Sequence, residues 1–157
     1  MKRWNGWGDE SIELVVNADA LHFLEQRIGA GVSQVDATLA QACSGIPASR
    51  LPQHRLVDTN PEARLRCSLG HSLPDWLKMR SGNVGTVTDG VAYPESSEQV
   101  RELLDYAQTC GAAVIPMGGG TSVVGHLTVP EGAQAVLTIN MSRLCNLINL
   151  DPQAQLA

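Results

Sequence analysis

The residues with the most evident chemical use are Gly118-Gly119-Gly120-Thr121-Ser122, which follow the apolar run Ala113-Val114-Ile115-Pro116-Met117 without a break. Three residues without Cβ tolerate positive φ and let a ligand approach the main chain closely. Successive amides in such a loop can converge on an anion, and the hydroxyls of Thr121 and Ser122 add donors. A pyrophosphate is the natural guest; a plain tight turn between two strands is the other reading of the glycines taken alone. The P-loop pattern is excluded, because it needs a Lys after its last glycine and no Lys lies between Ala113 and Ala157. The G-x-G-x-x-G fingerprint fails at Val123, and Gly125 and Pro130 argue against the helix it requires. What is left is a loop that holds phosphate mostly through its backbone.

Other chemistry-bearing residues are scattered. His71 is a candidate for function, but no second catalytic residue lies near it in sequence, and a hydrogen-bonded structural histidine is the competing reading. Arg80 could meet a phosphate or sit in solvent. Cys43, Cys67, Cys110 and Cys145 stand far apart, with no C-x-x-C and no paired His spacing, which argues against a metal centre and a disulfide framework. Scattered thiols fit a reducing, cytoplasmic setting. The net charge of −5 and the lack of a basic run exclude a nonspecific nucleic-acid binder. No apolar run follows Met1-Lys2-Arg3 as a signal peptide requires, and no stretch approaches a membrane span. The final Gln155-Leu156-Ala157 is no peroxisomal tail.

The elements that must position the glycine loop are best marked just before it. Val91-Ala92-Tyr93 reads as a short strand stopped by Pro94. Ser96 caps a helix, with Gln99 in capping-box spacing, and Val100, Leu103, Leu104 and Ala107 form one apolar stripe. Gly111 ends that helix and a strand over Ala113–Pro116 follows, giving a β-α-β unit. The loop then sits at the carboxyl end of a strand, where open α/β folds place ligands, and this context favours phosphate binding over the simple turn. Truncation of a larger sheet after this region would leave Ala135–Ile139 as an exposed edge, open to aggregation or dimerisation.

Upstream, Met1–Pro61 reads as a helical prefix. Two tryptophans bracket Asn5-Gly6, more like an arm that packs onto something than a tail in water. A helix is expected over Asn17–Ile28, capped by Asn17 or Asp19, and a second over Ser33–Cys43 with Ser33 as cap. Ser44 to Pro61 carries three prolines and reads as linker. Pro61 to Gly82 reads as one or two helices around Leu69-Gly70-His71-Ser72, the second started by Ser72 or Pro74.

Taken together, Trp4-Asn5-Gly6-Trp7-Gly8, Gly70-His71-Ser72, Arg80-Ser81-Gly82, Pro94 with its helix, and Ile115 to Val123 resemble alkyldihydroxyacetonephosphate synthase and bacterial FAD-linked oxidoreductases, flavoproteins of the vanillyl-alcohol-oxidase type. The resemblance implies an α/β (α+β) chain in two parts. A helical segment over 1–85 would precede a partial FAD-binding, PCMH-type domain over 86–157, the first β-α-β subdomain of that fold, incomplete at its carboxyl end. It implies that Pro116, Met117, Gly118, Gly119, Gly120, Thr121 and Ser122 hold the FAD pyrophosphate. Thr121 falls where some relatives carry a histidine bonded covalently to flavin, so noncovalent FAD is implied. His126 stands where the family pattern tends to glycine and is not taken as a flavin anchor. Leu137 to Leu144 resembles the next strand and turn, with Asn140 where aspartate is common.

The same resemblance implies that the second FAD subdomain, the cap and the catalytic residues lie beyond Ala157. No catalytic residue is therefore assigned, and the chain is expected to be an amino-terminal fragment whose partner is the remaining part of the enzyme. A full relative would be an alkylglycerone-phosphate synthase or an oxidoreductase and could form a homodimer. No metal and no nucleic acid is implied. A noncatalytic remnant and an interaction module using Trp4 and Trp7 are the alternatives.

Overall fold

The structure, a computed structural model, describes residues 2–13, 15–32 and 34–156 of the 157. Its centre is a four-stranded sheet of β1 (Val57–Asp58), β2 (Gly90–Ala92), β3 (Ala113–Met117) and β4 (Val136–Asn140), in the spatial order β1-β2-β4-β3. β4 runs parallel to both neighbours, matching Val91 with Thr138 on one side and Ile115 with Thr138 on the other, while β1 pairs antiparallel with β2. Between β2 and β3 runs α5 (Ser97–Cys110), as the sequence leads one to expect. Ser96 accepts the Gln99 amide, the Gln99 side chain reaches back to the Glu95 amide, and Gly111 takes the left-handed conformation at φ 68°.

Strand alternation sorts the core into two layers. On one side of the sheet Ala92, Leu137 and Ile139 pack with Leu103 and Ala107 of α5. On the other, Val91 and Met117 meet Cys67 and Leu127. A third cluster lies between α2 (Leu39–Ser44), α3 (Pro61–Arg66) and α4 (Leu73–Ser81), where Ala42, Leu65, Leu69 and Met79 pack with Trp4 and Trp76.

Three expectations are corrected. The expected exposed edge at 135–139 is the sheet centre: every residue of β4 is buried and it is paired on both sides, so the outer strand on that side is β3. A strand's rank along the chain does not fix its place in a sheet, and β4 enters the gap between two strands joined by α5. The second helix is shorter than Ser33–Cys43. Thr38 and Gln41 form a reciprocal capping box that starts it at Leu39, and Val35, 96% exposed, has no core to hold an earlier turn. Ser33 lies outside the described residues. The stretch read as linker also contains β1, two residues long and too short to show a period.

The remaining helices stand where the sequence puts them. α1 (Ala18–Ile28) is capped by Asn17, whose side chain accepts the Ala20 amide, although none of its residues is buried. α4 starts at Ser72 in a capping box with Asp75 and ends at Gly82. No helix among the described residues is long and apolar enough to cross a membrane.

Candidate functional site

β3 delivers the chain to the glycine loop. Pro116 is exposed near its end, and Met117, the last strand residue, is buried with its sulfur 3.7 Å from Asn140 Nδ2. Gly118, Gly119 and Thr121 are exposed, Gly120 and Ser122 buried. The amides of Gly118, Gly119, Gly120 and Thr121 enter none of the backbone hydrogen bonds found among the described residues. A Cβ on Gly118 would meet nothing within 4 Å, and one on Gly119 only Thr121 Cγ2 at 3.8 Å, so the main chain there faces open space. Gly120 differs: its φ is 72° and a Cβ would come within 2.6 Å of Met117 Cε. Such a loop, with amides uncommitted and its face open, suits a diphosphate.

The loop is braced from behind by the turn between α3 and α4. The His71 amide donates to the Ser122 carbonyl at 2.6 Å, and a Cβ on Gly70 would collide with that same oxygen. The Ser122 hydroxyl accepts the His126 amide at 3.3 Å, and Leu127, fully buried, anchors the loop's return. Asn140 accepts the Ser142 amide at 3.0 Å and approaches the sulfurs of Cys67 and Met117, capping the short turn Met141–Arg143.

The amino-terminal arm completes the surroundings. The main chains of Lys2 and Asp9 form an isolated antiparallel β-bridge, the Arg3 amide donates to the Gly8 carbonyl, and Trp4 is packed on the helical core cluster. The Trp7 ring stands edge-on to Trp76 at 5.5 Å and tilted against His71 at 6.0 Å. The arm therefore packs on the body of the molecule, and it carries Lys2 Nζ to 3.3 Å from the Gly119 carbonyl. A cavity of about 270 Å³ opens between arm and loop, lined by Lys2, Arg66, Gly70, His71, Met117 and Gly120 among others. A larger hollow of about 550 Å³ under the arm, bounded by Arg3, Glu10 and Glu13, does not reach the loop.

His71 has both faces of its sequence reading. Its amide braces the loop, while its ring nitrogen Nδ1 is buried without a hydrogen-bond partner among the described residues. Burial, helped by the Lys2 charge and opposed by Asp75, lowers its pKa from 6.5, which favours the neutral ring at pH 7. Arg80 is not at the loop; it pairs with Asp36 at 3.0 Å. Lys2 and Arg66 were not picked out in sequence. Lys2 lies 117 positions from the loop, and no local spacing signals that meeting.

A family model described as an FAD binding domain matches residues 88–157, a span that begins at the approach to β2 and includes the whole glycine loop. The chain is also similar to an alkyldihydroxyacetonephosphate synthase of Caenorhabditis elegans, 26% identical over 95% of this chain and 30% of that protein. A synthase of the same name from Dictyostelium discoideum is 32% identical over 57% of this chain and 15% of its own length. A solved alkyldihydroxyacetonephosphate synthase, crystallised in P1, superposes with a TM-score of 0.74 at 20% identity, covering 97% of this chain and 34% of that one. The resemblance drawn from the motifs and the mixed α/β fold are thus borne out. The chain spans about a third of the length of the synthases matched nearly throughout. FAD is the cofactor of the domain, and the open loop fits the diphosphate of that group.

Proposed function

We propose that this chain is the part of an alkyldihydroxyacetonephosphate synthase-like, FAD-linked enzyme that grips the FAD pyrophosphate. Pro116 and Met117 lead into the cradle, Gly118, Gly119, Gly120 and Thr121 present amides, and the Thr121 and Ser122 hydroxyls stand beside them. The observation that carries this reading is the set of loop amides that bond no other main chain among the described residues, on a face where Gly118 and Gly119 leave room for a ligand. Thr121 offers no ring nitrogen for a covalent flavin bond, so the cofactor is held noncovalently. Bound FAD supplies redox chemistry; the residues of this chain bind and orient it, and none of them is assigned to catalysis. Substrate turnover, whether acyl-for-alkyl exchange on dihydroxyacetone phosphate or oxidation of a hydroxy acid, belongs to the longer protein, as does any homodimer. Four unpaired thiols suit a cytoplasmic protein.

Contacts from elsewhere in the longer protein set the affinity expected of these residues alone. A charge-assisted hydrogen bond contributes about 1.5–3 kcal/mol and a tenfold change in affinity about 1.4 kcal/mol. Three such bonds supplied from outside would leave the 157-residue chain weaker by roughly three decades or more, in the high micromolar range. Isothermal titration with FAD tests this, and nanomolar binding would overturn it. Gly119→Val is the sharper probe. Its backbone is not left-handed and its Cβ has room, so the fold should hold while the branched side chain fills the space before the amides. Binding should vanish with the melting temperature nearly unchanged; undiminished binding would sink the loop assignment. A chain that keeps its fold but whose melting temperature FAD never shifts would instead be a noncatalytic remnant.

A further inference from the structure

The family of phosphate loops that couples glycines to a lysine finds that lysine a few residues downstream. Here the downstream sequence has none, yet the fold brings an ammonium to the loop from the opposite end of the chain. Lys2 Nζ donates to the Gly119 carbonyl at 3.3 Å and lies 4.0 Å from where a Cβ on Gly120 would stand. We propose that Lys2 is the cationic residue of the diphosphate site, an inference that rests on the pyrophosphate reading of the loop.

Three observations carry it. First, the backbone that carries the lysine is placed rather than loose. Its own carbonyl accepts from Arg66 Nη1 at 3.0 Å, its main chain forms an isolated β-bridge with Asp9, and its second neighbour along the chain, Trp4, packs against a core cluster. Second, an ammonium has three donors and the Gly119 carbonyl takes one, so a phosphate oxygen above the loop can take another without breaking that bond. Third, the charged side chains in the otherwise largely apolar lining of the cavity between arm and loop are Lys2, Arg3 and Arg66, with His71 beside them and no Asp or Glu among the described residues, although Arg66 is partly neutralised by Glu62 and Glu10. The His71 ring nitrogen Nδ1, buried and without a partner among the described residues, adds an unmet polar atom on a residue that lines the same cavity. A diphosphate at the mouth of that cavity would meet a compact charge beside the glycine loop.

The test titrates the full chain, Lys2→Met and Lys2→Arg with FAD, ADP, inorganic pyrophosphate and adenosine, at low and moderate salt, with melting temperatures as a check on the fold. Lys2→Met should weaken the three diphosphate ligands by on the order of tenfold and lower the salt dependence of binding. Lys2→Arg should keep most of the affinity, and adenosine, which has no phosphate, should be indifferent to either change. Equal FAD binding by the unaltered chain and Lys2→Met overturns this inference and leaves the loop assignment standing. Loss of adenosine binding alongside the diphosphates also overturns it, because the arm would then act only through the fold. Lys2-dependent binding of inorganic pyrophosphate with none of FAD supports the inference and removes the flavin reading. Binding of neither overturns both.

Discussion

Asp89 shows how much of this fold rests on one carboxylate. Its side chain is 3% exposed and accepts from Arg50 Nε at 2.8 Å, Arg50 Nη2 at 2.7 Å and the Arg50 and Val136 amides. Burial pushes its pKa up, but the bonds from Arg50 and the two amides outweigh that, and the carboxyl lies below its ordinary 3.8. Because the folded value is the lower one, the charged form contributes fully above the unfolded pKa and its contribution is lost as pH falls through the folded value. The melting temperature should thus hold above about pH 5 and fall in acid, with part of that fall absent in Asp89→Asn. The variant should cost roughly 2–3 kcal/mol at neutral pH by urea denaturation. At this scale the sequence was legible only where the signal is local. The glycine loop announces itself in five consecutive residues, whereas Asp89 and Lys2 acquire their meaning from Arg50 and Gly119, and no periodicity or motif joins those pairs.

Among the elements, the turn between α3 and α4 and the glycine loop form one joint, made at Gly70. Its conformation is ordinary; what demands glycine is the Ser122 carbonyl against its Cα. Gly70→Ala should push the two segments apart, weaken the bond from the His71 amide, cost about 1–3 kcal/mol, and weaken FAD binding although residue 70 lies outside the glycine loop itself. A variant with wild-type stability and affinity would show that the joint gives way freely. Elements bounded by their own signals were readable: Ser96 and Gly111 frame α5, and Ser72 and Gly82 frame α4. The order of strands was not. One clue did exist, since Pro116 cannot donate to a ladder on both sides, and a strand containing it belongs at an edge. That residue pointed to β3 as the border, where the reading by chain order chose 135–139.

For the molecule as a whole, both borders of the sheet are short or blunted. β1 has two residues, and β3 carries Pro116. The chain should accordingly run as a monomer by light scattering, and Pro116→Val should increase self-association by restoring an amide to the border; equal behaviour of the two would show that the proline guards nothing. The position of β4 has a further consequence, for the order in which the protein can be built. β2 and β3 flank a gap that residues 136–140 fill. As the chain leaves the ribosome, α5 and its two strands emerge first and must wait, their facing ladders unpaired, until the segment ending at Asn140 arrives. The sheet closes from its middle, only once residue 140 has emerged, like an arch receiving its keystone.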